Sequence, residues 1–346
     1  HPLALLLFQI ITIVLVARVF GWIFRKIGQP SVIGEIIAGI ILGPSLIGMY
    51  FPEFSSQKVF VKTADSLVLV DRARSITIRD LLTHQAGISS ADEYPYLQKD
   101  FLKYGLNNSG VTQYPSLRAE IAQIAKMPLA HQPGARFSYG LSTNVLGGLI
   151  EFVTKQNLDA YLTDNIFKPL GMKDTYFNVP MAKAERMPTV YTENDANKII
   201  EWSPTFRDIN PNYPMMPKTY FSGGAGLSST AYDYAIFLQM ILNGGKYNGK
   251  QIIAPRTAEI MTSPQLDFKF NGQDDFSLGF SVTSEKSANL NFRNKGSFSW
   301  GGYYGTSYWA DPKDKLVVLI MTQHNPNSHG ELGGIIERII YGSRIN

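Results

Sequence analysis

One tyrosine stands directly before a predicted helix in the stretch Phe137-Ser138-Tyr139-Gly140-Leu141-Ser142-Thr143-Asn144-Val145-Leu146-Gly147-Gly148. The Pro133-Gly134 pair ahead of it indicates a turn, and apolar residues recur at helical spacing over residues 145–153. A free phenol has a pKa of about 10, but a neighbouring cation favours the phenolate, which can share a proton with a nucleophile. Tyr139 is therefore either a candidate base that faces a cleft or a tyrosine that packs against its loop.

Several motifs of the chain resemble the serine beta-lactamase-like hydrolases, a family that holds class C beta-lactamases, D-alanyl-D-alanine carboxypeptidases and lactamase-type esterases. The motifs are FSYGLSTNVLG around Tyr139, ITIRDLLTHQAGI over residues 76–88, IFKPLGM over residues 166–172 and SGGAGLSST over residues 222–230. The resemblance runs from about residue 51 to 346. It implies that Tyr139 belongs to the catalytic set, that an ester or amide is cleaved through an acyl-serine intermediate, and that no cofactor takes part.

Trp300-Gly301-Gly302 resembles the third motif of this family, which lies on an edge strand. The resemblance implies that the backbone N–H of Tyr303 donates to the oxyanion. Beta-lactamases carry Lys-Thr-Gly there, and the lysine helps to bind the carboxylate of the substrate. Trp-Gly-Gly offers no cation and resembles the esterase branch, as does Leu141, where class C enzymes have asparagine. We expect Tyr139 and the Trp300 motif to face one cleft.

The family's nucleophile lies in a Ser-x-x-Lys motif at a helix N-terminus, where the spacing puts the two side chains one turn apart on one helical face. In the family this motif lies well upstream of the ITIRDLLTH string. The sequence contains one match, Ser55-Ser56-Gln57-Lys58, but the following residues 59–62 alternate like a strand. We interpret Ser55 and Lys58 as a chance match. The hydrolase domain is then incomplete at its N-terminus, and we expect its activity to be impaired.

The first fifty residues have a composition suited to lipid. Residues 3–17 are almost wholly apolar and a second apolar segment covers residues 31–50, so the sequence predicts a two-helix transmembrane hairpin. Arg25 and Lys26 lie in the loop between the segments, and positive charge marks the cytoplasmic side. The hydrolase portion would then face the periplasm from a bacterial inner membrane. Through the motif of residues 28–45, residues 1–50 resemble the first two membrane helices of monovalent cation:proton antiporters.

The composition is that of a packed globular protein, with 45% hydrophobic and 17% charged residues in 346. The net charge of +4 includes no dense block of lysine and arginine, which argues against nucleic acid as a partner. The absence of cysteine excludes disulfides, thiolate zinc sites and cysteine nucleophiles. His84 has no second histidine at ligand spacing, so we predict that it hydrogen-bonds a loop and that there is no metal site.

The segments near the end of the chain alternate like antiparallel strands, over residues 278–282, 298–300, 306–310 and 316–322. We predict an α+β fold over residues 51–346, an antiparallel sheet flanked by helices with a helical subdomain, after the hairpin of residues 1–50. Three functions stay open: an impaired esterase-type serine hydrolase, a non-catalytic domain that binds cell-wall peptides or acyl compounds, and an antiporter fragment. A covalent serine probe separates the first two, because it labels only a working nucleophile.

Overall fold

The structure is a computed structural model, and it divides into two compact units. The first unit takes the described residues up to Ile166 together with Thr219–Gly224, and the second takes Phe167–Lys218 and the described residues from Ala225 onward. The predicted domain boundary near residue 51 stays a prediction. The residues that the structure describes are 15, 18–23, 26, 50–63, 66–106, 114–204, 206, 209–328 and 332–343.

The first unit is mainly helical. Its helices are α1 (Ile78–Leu82), α2 (Gln98–Tyr104), α3 (Leu117–Ile124), α4 (Ser142–Thr154) and α5 (Leu158–Leu162), with short 3-10 helices at Pro52–Ser56 and Pro95–Leu97. Strands β1 (Val59–Lys62) and β2 (Leu67–Val70) pair antiparallel, with Val59 opposite Val70.

Helix α4, which follows the tyrosine motif, packs against α1, α3 and α5. Val145 and Leu149 point into the core and are almost fully buried, as the helical spacing predicts. Gly147 and Gly148 let the neighbouring helices approach closely, because a Cβ at Gly147 would already lie 3.1 Å from a methyl carbon of Leu158. The sequence VLGGL therefore places the start of α4 firmly in the core of the first unit.

Helix α1 begins with a capping box. The Thr77 hydroxyl accepts from the Asp80 N–H at 3.0 Å, and the Asp80 carboxylate accepts in return from the Thr77 N–H at 2.7 Å. Arg74 donates to both oxygens of the same carboxylate, at 2.6 and 2.8 Å. Asp80 is buried, so these donors replace the water that its charge would otherwise need.

The second unit is built on a five-stranded antiparallel sheet in the order β11-β10-β9-β8-β7, so consecutive strands are neighbours. Helix α7 packs against β10 and β11. The strands of the sheet are β7 (Asp275–Phe276), β8 (Ser281–Val282), β9 (Phe298–Gly301), β10 (Ser307–Asp311) and β11 (Leu316–Ile320). The helices are α6 (Lys168–Leu170), α7 (Ala231–Leu242), α8 (Pro255–Thr262), α9 (Glu285–Ala288) and α10 (Leu332–Gly342).

Two short hairpins complete the second unit. They are β3 (Tyr191–Glu193) with β4 (Ile199–Glu201), and β5 (Lys246–Tyr247) with β6 (Lys250–Gln251). The first of them lies in the span 179–218, which is polar and rich in proline. The α+β class and the antiparallel strands near the end of the chain are confirmed.

The transmembrane hairpin predicted over residues 1–50 is wrong. Within the part of the chain that the structure describes, no helix combines the length and the apolar composition that a bilayer crossing needs. Most of the predicted hairpin, including Arg25, lies outside the described residues. The predictions of an inner-membrane localisation and of a membrane partner depended on this hairpin. Both are withdrawn with it.

Candidate functional site

The tyrosine motif is held by backbone contacts from the segment that follows α1. The N–H of Ser138 donates to the carbonyl of His84 at 2.8 Å, and the Ser89 hydroxyl donates to the carbonyl of Tyr139 at 3.2 Å. The end of the ITIRDLLTHQAGI motif and the adjacent Ser89 thus pack against the Tyr139 turn. Tyr139 keeps 47% of its surface exposed, so its phenol can reach a substrate.

Two titratable side chains contact the tyrosine turn. The ring of His84 lies 4.9 Å from the ring of Tyr139, and burial lowers the pKa of His84 to about 4. This imidazole is therefore neutral at pH 7 and supplies packing, not positive charge. Glu93 accepts from the Ser89 hydroxyl at 3.0 Å. Burial raises its pKa, while hydrogen bonds from Ser89 and from the Tyr139 backbone act in the opposite direction.

The sequence predicts that His84 hydrogen-bonds a loop. The backbone carbonyl of His84 does accept a hydrogen bond from the Ser138 N–H. His84 also has a positive φ of 53°, which turns the chain sharply at the end of α1. The contact of Glu93 with the tyrosine turn was not predicted from the sequence. A glutamate in a polar loop carries no pattern that separates it from a solvated one, although its position four residues after Ser89 matches the hydrogen bond between them.

Trp300 and Gly301 lie at the end of β9, in the second unit. Strand β9 is an interior strand of the sheet, but β8 opposes only its first half, at Phe298 and Ser299. The predicted edge strand is thus wrong for β9 as a whole, yet Trp300 and Gly301 extend beyond the residues that β8 covers. A strand end of this kind can offer backbone groups to a ligand.

A tight turn follows β9. The N–H of Gly302 donates to the carbonyl of Thr306 at 2.8 Å, and the N–H of Gly305 donates to the carbonyl of Gly302 at 3.1 Å. A Cβ at Gly301 would lie 2.9 Å from the Thr306 carbonyl oxygen, so glycine is required for this approach. Tyr303 stands inside the turn, and its side chain is 44% exposed.

Aromatic rings surround the Trp300 motif. The ring of Trp300 lies edge-on to Phe276, with centroids 5.4 Å apart. Trp202, which is buried, contacts the rings of Tyr303 at 6.3 Å and Tyr304 at 5.5 Å. Trp202 follows the β3–β4 hairpin directly, so the segment after this hairpin supplies a side chain next to the Trp300 motif.

The Ser55-x-x-Lys58 match does not lie on one helix. Ser55 is exposed and belongs to the 3-10 helix Pro52–Ser56, whereas Lys58 stands in the extended connection before β1. The Lys58 ammonium is paired with Asp71, and the carbonyl of Ser55 accepts from Arg72 at 3.1 Å. A serine and a lysine one helical turn apart need a continuous helix between them. Our interpretation of Ser55 and Lys58 as a chance match is unchanged.

The candidate residues therefore fall in both units. Ser55, Lys58 and Tyr139 belong to the first, whereas Trp300-Gly301-Gly302 and Tyr303 belong to the second. The glycine-rich stretch is divided, with residues 222–224 in the first unit and residues 225–230 in the second. That Tyr139 and the Trp300 motif meet at one cleft stays a prediction.

Comparison with known proteins decides the family. The sequence profile of the beta-lactamase family matches residues 64–338, which is most of the chain. The chain belongs to the beta-lactamase family. The matched range includes the tyrosine motif and the Trp300 motif but starts after Ser55, and it leaves the antiporter resemblance of residues 28–45 without support.

Individual relatives agree with this family assignment. A protein of Mycobacterium tuberculosis without an assigned function is 29% identical over 275 residues, covering 73% of this chain, and this chain spans 64% of that relative. A Salmonella agona protein provisionally named a D-alanyl-D-alanine carboxypeptidase is 27% identical over 323 residues, covering 86% of this chain and 68% of that protein.

Solved structures show the same fold. EstCE1, described as a hydrolase with promiscuous acyltransferase activity, superposes with a TM-score of 0.70 at 23% identity, covering 86% of this chain and 77% of that one. The simvastatin synthase LovD from Aspergillus terreus superposes with a TM-score of 0.66 at 23% identity, covering 86% of this chain and 76% of that one. These two solved structures thus agree with the family assignment at the level of the fold.

Proposed function

We propose that this chain is an esterase-type member of the beta-lactamase family that binds a small ester or amide but transfers its acyl group poorly. The observation that carries the proposal is the arrangement of Ser55 and Lys58. They lie on different elements, and the lysine is paired with Asp71. Acyl transfer by a serine requires a base or cation positioned to remove the hydroxyl proton. Without that pair, the remaining groups bind and polarise an acyl carbonyl.

Tyr139 is the proposed base, and the N–H of Tyr303 is the proposed oxyanion donor. The exposed phenol of Tyr139 and the fixed backbone of its turn support the first role. The tight turn after β9 supports the second, because it holds the Tyr303 amide in one orientation. Donors that are fixed in advance stabilise a developing oxyanion without reorganisation.

The esterase branch is favoured by the Trp300 motif. It offers aromatic surface from Trp300 and Phe276 and no lysine, so a neutral acyl compound fits it better than a peptide with a terminal carboxylate. EstCE1, whose description names hydrolase and acyltransferase activity, shares this fold. That likeness agrees with the esterase branch but does not itself select a substrate.

A non-catalytic domain that binds cell-wall peptides is the second candidate, and the name of the Salmonella relative favours a peptide as the ligand. A titration monitored by tryptophan fluorescence separates the two. We expect an N-aryl butanamide, which is neutral and resists hydrolysis, to bind saturably, and acetyl-D-alanyl-D-alanine not to compete with it. Binding of the dipeptide alone would favour the second candidate.

The activity test uses p-nitrophenyl butyrate. We expect the wild-type chain, Tyr139→Phe and Ser55→Ala to hydrolyse it at rates that agree within about twofold, because removal of a nucleophile leaves only the acceleration due to binding and oxyanion contacts. Ser56→Ala, the neighbouring exposed serine, is the matched control. If Ser55→Ala abolished a robust rate that Ser56→Ala retained, Ser55 and Lys58 would have to be accepted as the nucleophile pair.

A further inference from the structure

A buried polar cluster joins α3, α4 and Thr219–Gly224 within the first unit. The carboxylate of Glu120, on α3, accepts from the Asn144 side-chain amide at 2.9 Å through each of its oxygens, and from the Tyr220 hydroxyl at 2.9 Å. Glu120, Asn144 and Tyr220 are all almost fully buried. The family motifs do not account for Glu120, and it lies outside the reaction proposed above.

The amide of Asn144 has one orientation in this cluster. Its oxygen accepts from the Gly224 N–H at 2.7 Å and from the Ser222 hydroxyl at 3.0 Å. Its nitrogen must therefore face Glu120, because an inverted amide would present NH2 to the Gly224 N–H. Asn144 lies in the first turn of α4, shortly after Tyr139. One side chain thus connects the start of the tyrosine helix with the glycine-rich segment.

The glycine-rich segment lies too close to α4 for any larger residue. A Cβ at Gly224 would lie 2.8 Å from the Thr143 hydroxyl oxygen and 3.0 Å from the Asn144 side-chain oxygen, and one at Gly223 would overlap the Thr143 carbonyl. The backbone of residues 222–224 is therefore placed by the first turn of α4. The side-chain amide of Asn144 is itself held in position by its acceptor, Glu120.

We propose that Glu120 is a positioning residue, which orients the Asn144 amide and thereby fixes the glycine-rich segment 222–224 against the start of the tyrosine helix. The proposal rests on the proposed function in one respect, namely that this segment contributes backbone to the acyl-binding site. Glu120 itself contacts no substrate in this account. Its effect is on local order, so it can be measured without ligand or turnover.

The positioning depends on pH. Burial raises the pKa of Glu120 to about 7, although the hydrogen bonds from Asn144 and Tyr220 act to lower it. Opening of the segment would expose the carboxyl to water and return its pKa toward the ordinary value. The neutral acid therefore stabilises the closed state relative to the open one. This stabilisation is complete below the ordinary pKa of a glutamate and is lost as pH rises through about 7.

The side chains that hydrogen-bond to Glu120 are the amide of Asn144 and the phenol of Tyr220. Asn144 on α4 is uncharged. Burial and the Glu120 charge raise the pKa of Tyr114 to about 12, and Tyr114 packs against the ring of Tyr220 with centroids 5.5 Å apart. Among the contacts of the described residues, Glu120 is thus the group whose charge changes in the cluster between pH 5 and pH 7.5.

The test is amide hydrogen exchange measured by NMR on the full chain labelled with 15N-glycine. At pH 5 we expect Glu120→Ala to speed exchange of the Gly224 amide about tenfold or more relative to wild type, as expected for the loss of a buried hydrogen-bond acceptor. The Gly134 amide, bonded to the Gln85 carbonyl in the same unit, reports on the rest of that unit. The matched control is Glu151→Ala, since Glu151 is half-buried and accepts from the Leu158 N–H outside the cluster.

Glu120→Gln keeps the shape of the side chain and removes its titration, and it serves where Glu120→Ala fails to fold. The ratio of wild-type to Glu120→Gln exchange at Gly224 should rise about tenfold or more from pH 5 to pH 7.5. A flat ratio would overturn the pH dependence. Unchanged Gly224 exchange in Glu120→Ala, or equal acceleration at Gly134 and Gly224, would overturn the positioning role. Neither result depends on whether the chain binds or cleaves an ester.

Discussion

Gly140→Ala is expected to destabilise the first unit by about 2–3 kcal/mol, because overpacking against atoms that cannot rotate away is costly. A Cβ at this position would lie 2.6 Å from the carbonyl oxygen of Ile88 and 2.7 Å from the Cα of Ser89. Both are backbone atoms, so relief requires movement of the chain. The Tyr139 turn would have to move away from the backbone of Ile88 and Ser89, against which it packs. Urea unfolding followed by circular dichroism measures the loss.

The matched control is Gly333→Ala. Gly333 lies in α10, and nothing stands within 4 Å of the position that its Cβ would take. Alanine is favoured over glycine inside a helix, so we expect this variant to be as stable as wild type or slightly more stable. Equal unfolding free energies for the two variants would show that the close backbone approach at Gly140 is not needed.

Asp80→Ala is expected to cost about 2–3 kcal/mol, because it removes a buried carboxylate that accepts several hydrogen bonds at once. The Thr77 N–H and hydroxyl both donate to this carboxylate, and Arg74 donates to both of its oxygens. Arg74 is partly exposed and can be rehydrated, which limits the loss. Helix α1 would also lose the half of its capping box in which the Asp80 carboxylate accepts from the Thr77 N–H. The measurement is the urea midpoint at pH 7.

Asp71→Ala is the control for this prediction. Asp71 pairs with Lys58, and its side chain is 86% exposed, so its removal should leave the midpoint nearly unchanged. A loss of stability in Asp71→Ala as large as that in Asp80→Ala would mean that burial and capping do not distinguish the two carboxylates.

Local chemistry made part of the fold predictable. Thr77 and Asp80 show the spacing of a capping pair, and the structure has that pair at the start of α1. The tyrosine turn was placed ahead of a helix by the Pro-Gly pair and the apolar spacing, and α4 does begin at Ser142. The antiparallel strands near the end of the chain follow from alternation and from the turns between them.

Other features depend on contacts distant in sequence. The interior position of β9 depends on which strands lie beside it, and nothing within Phe298–Gly301 specifies them. The strands of the β3–β4 hairpin have three residues each, which is too short for an alternating pattern to be recognised. The transmembrane prediction rested on apolar composition and on the charges of the loop, but no helix among the described residues has the length and apolar composition of a bilayer crossing.

Glu120 could have been found from the sequence. In α3 it shares the i, i+3, i+4, i+7 face with Leu117, Ile121 and Ile124, all of which are buried. An acid on an apolar helical face needs donors from elsewhere in the fold. That its donors come from Asn144 and Tyr220, far along the chain, required the structure.

The central claim is that the chain has the fold of the family and candidate base and oxyanion groups without a working serine nucleophile. Intact-mass spectrometry after incubation with a fluorophosphonate probe tests it most directly, because the probe forms a covalent adduct only with an activated serine. The account predicts an unchanged mass for the wild-type chain. An added mass of one probe, mapped by peptide sequencing to Ser55 and absent from Ser55→Ala, would contradict it.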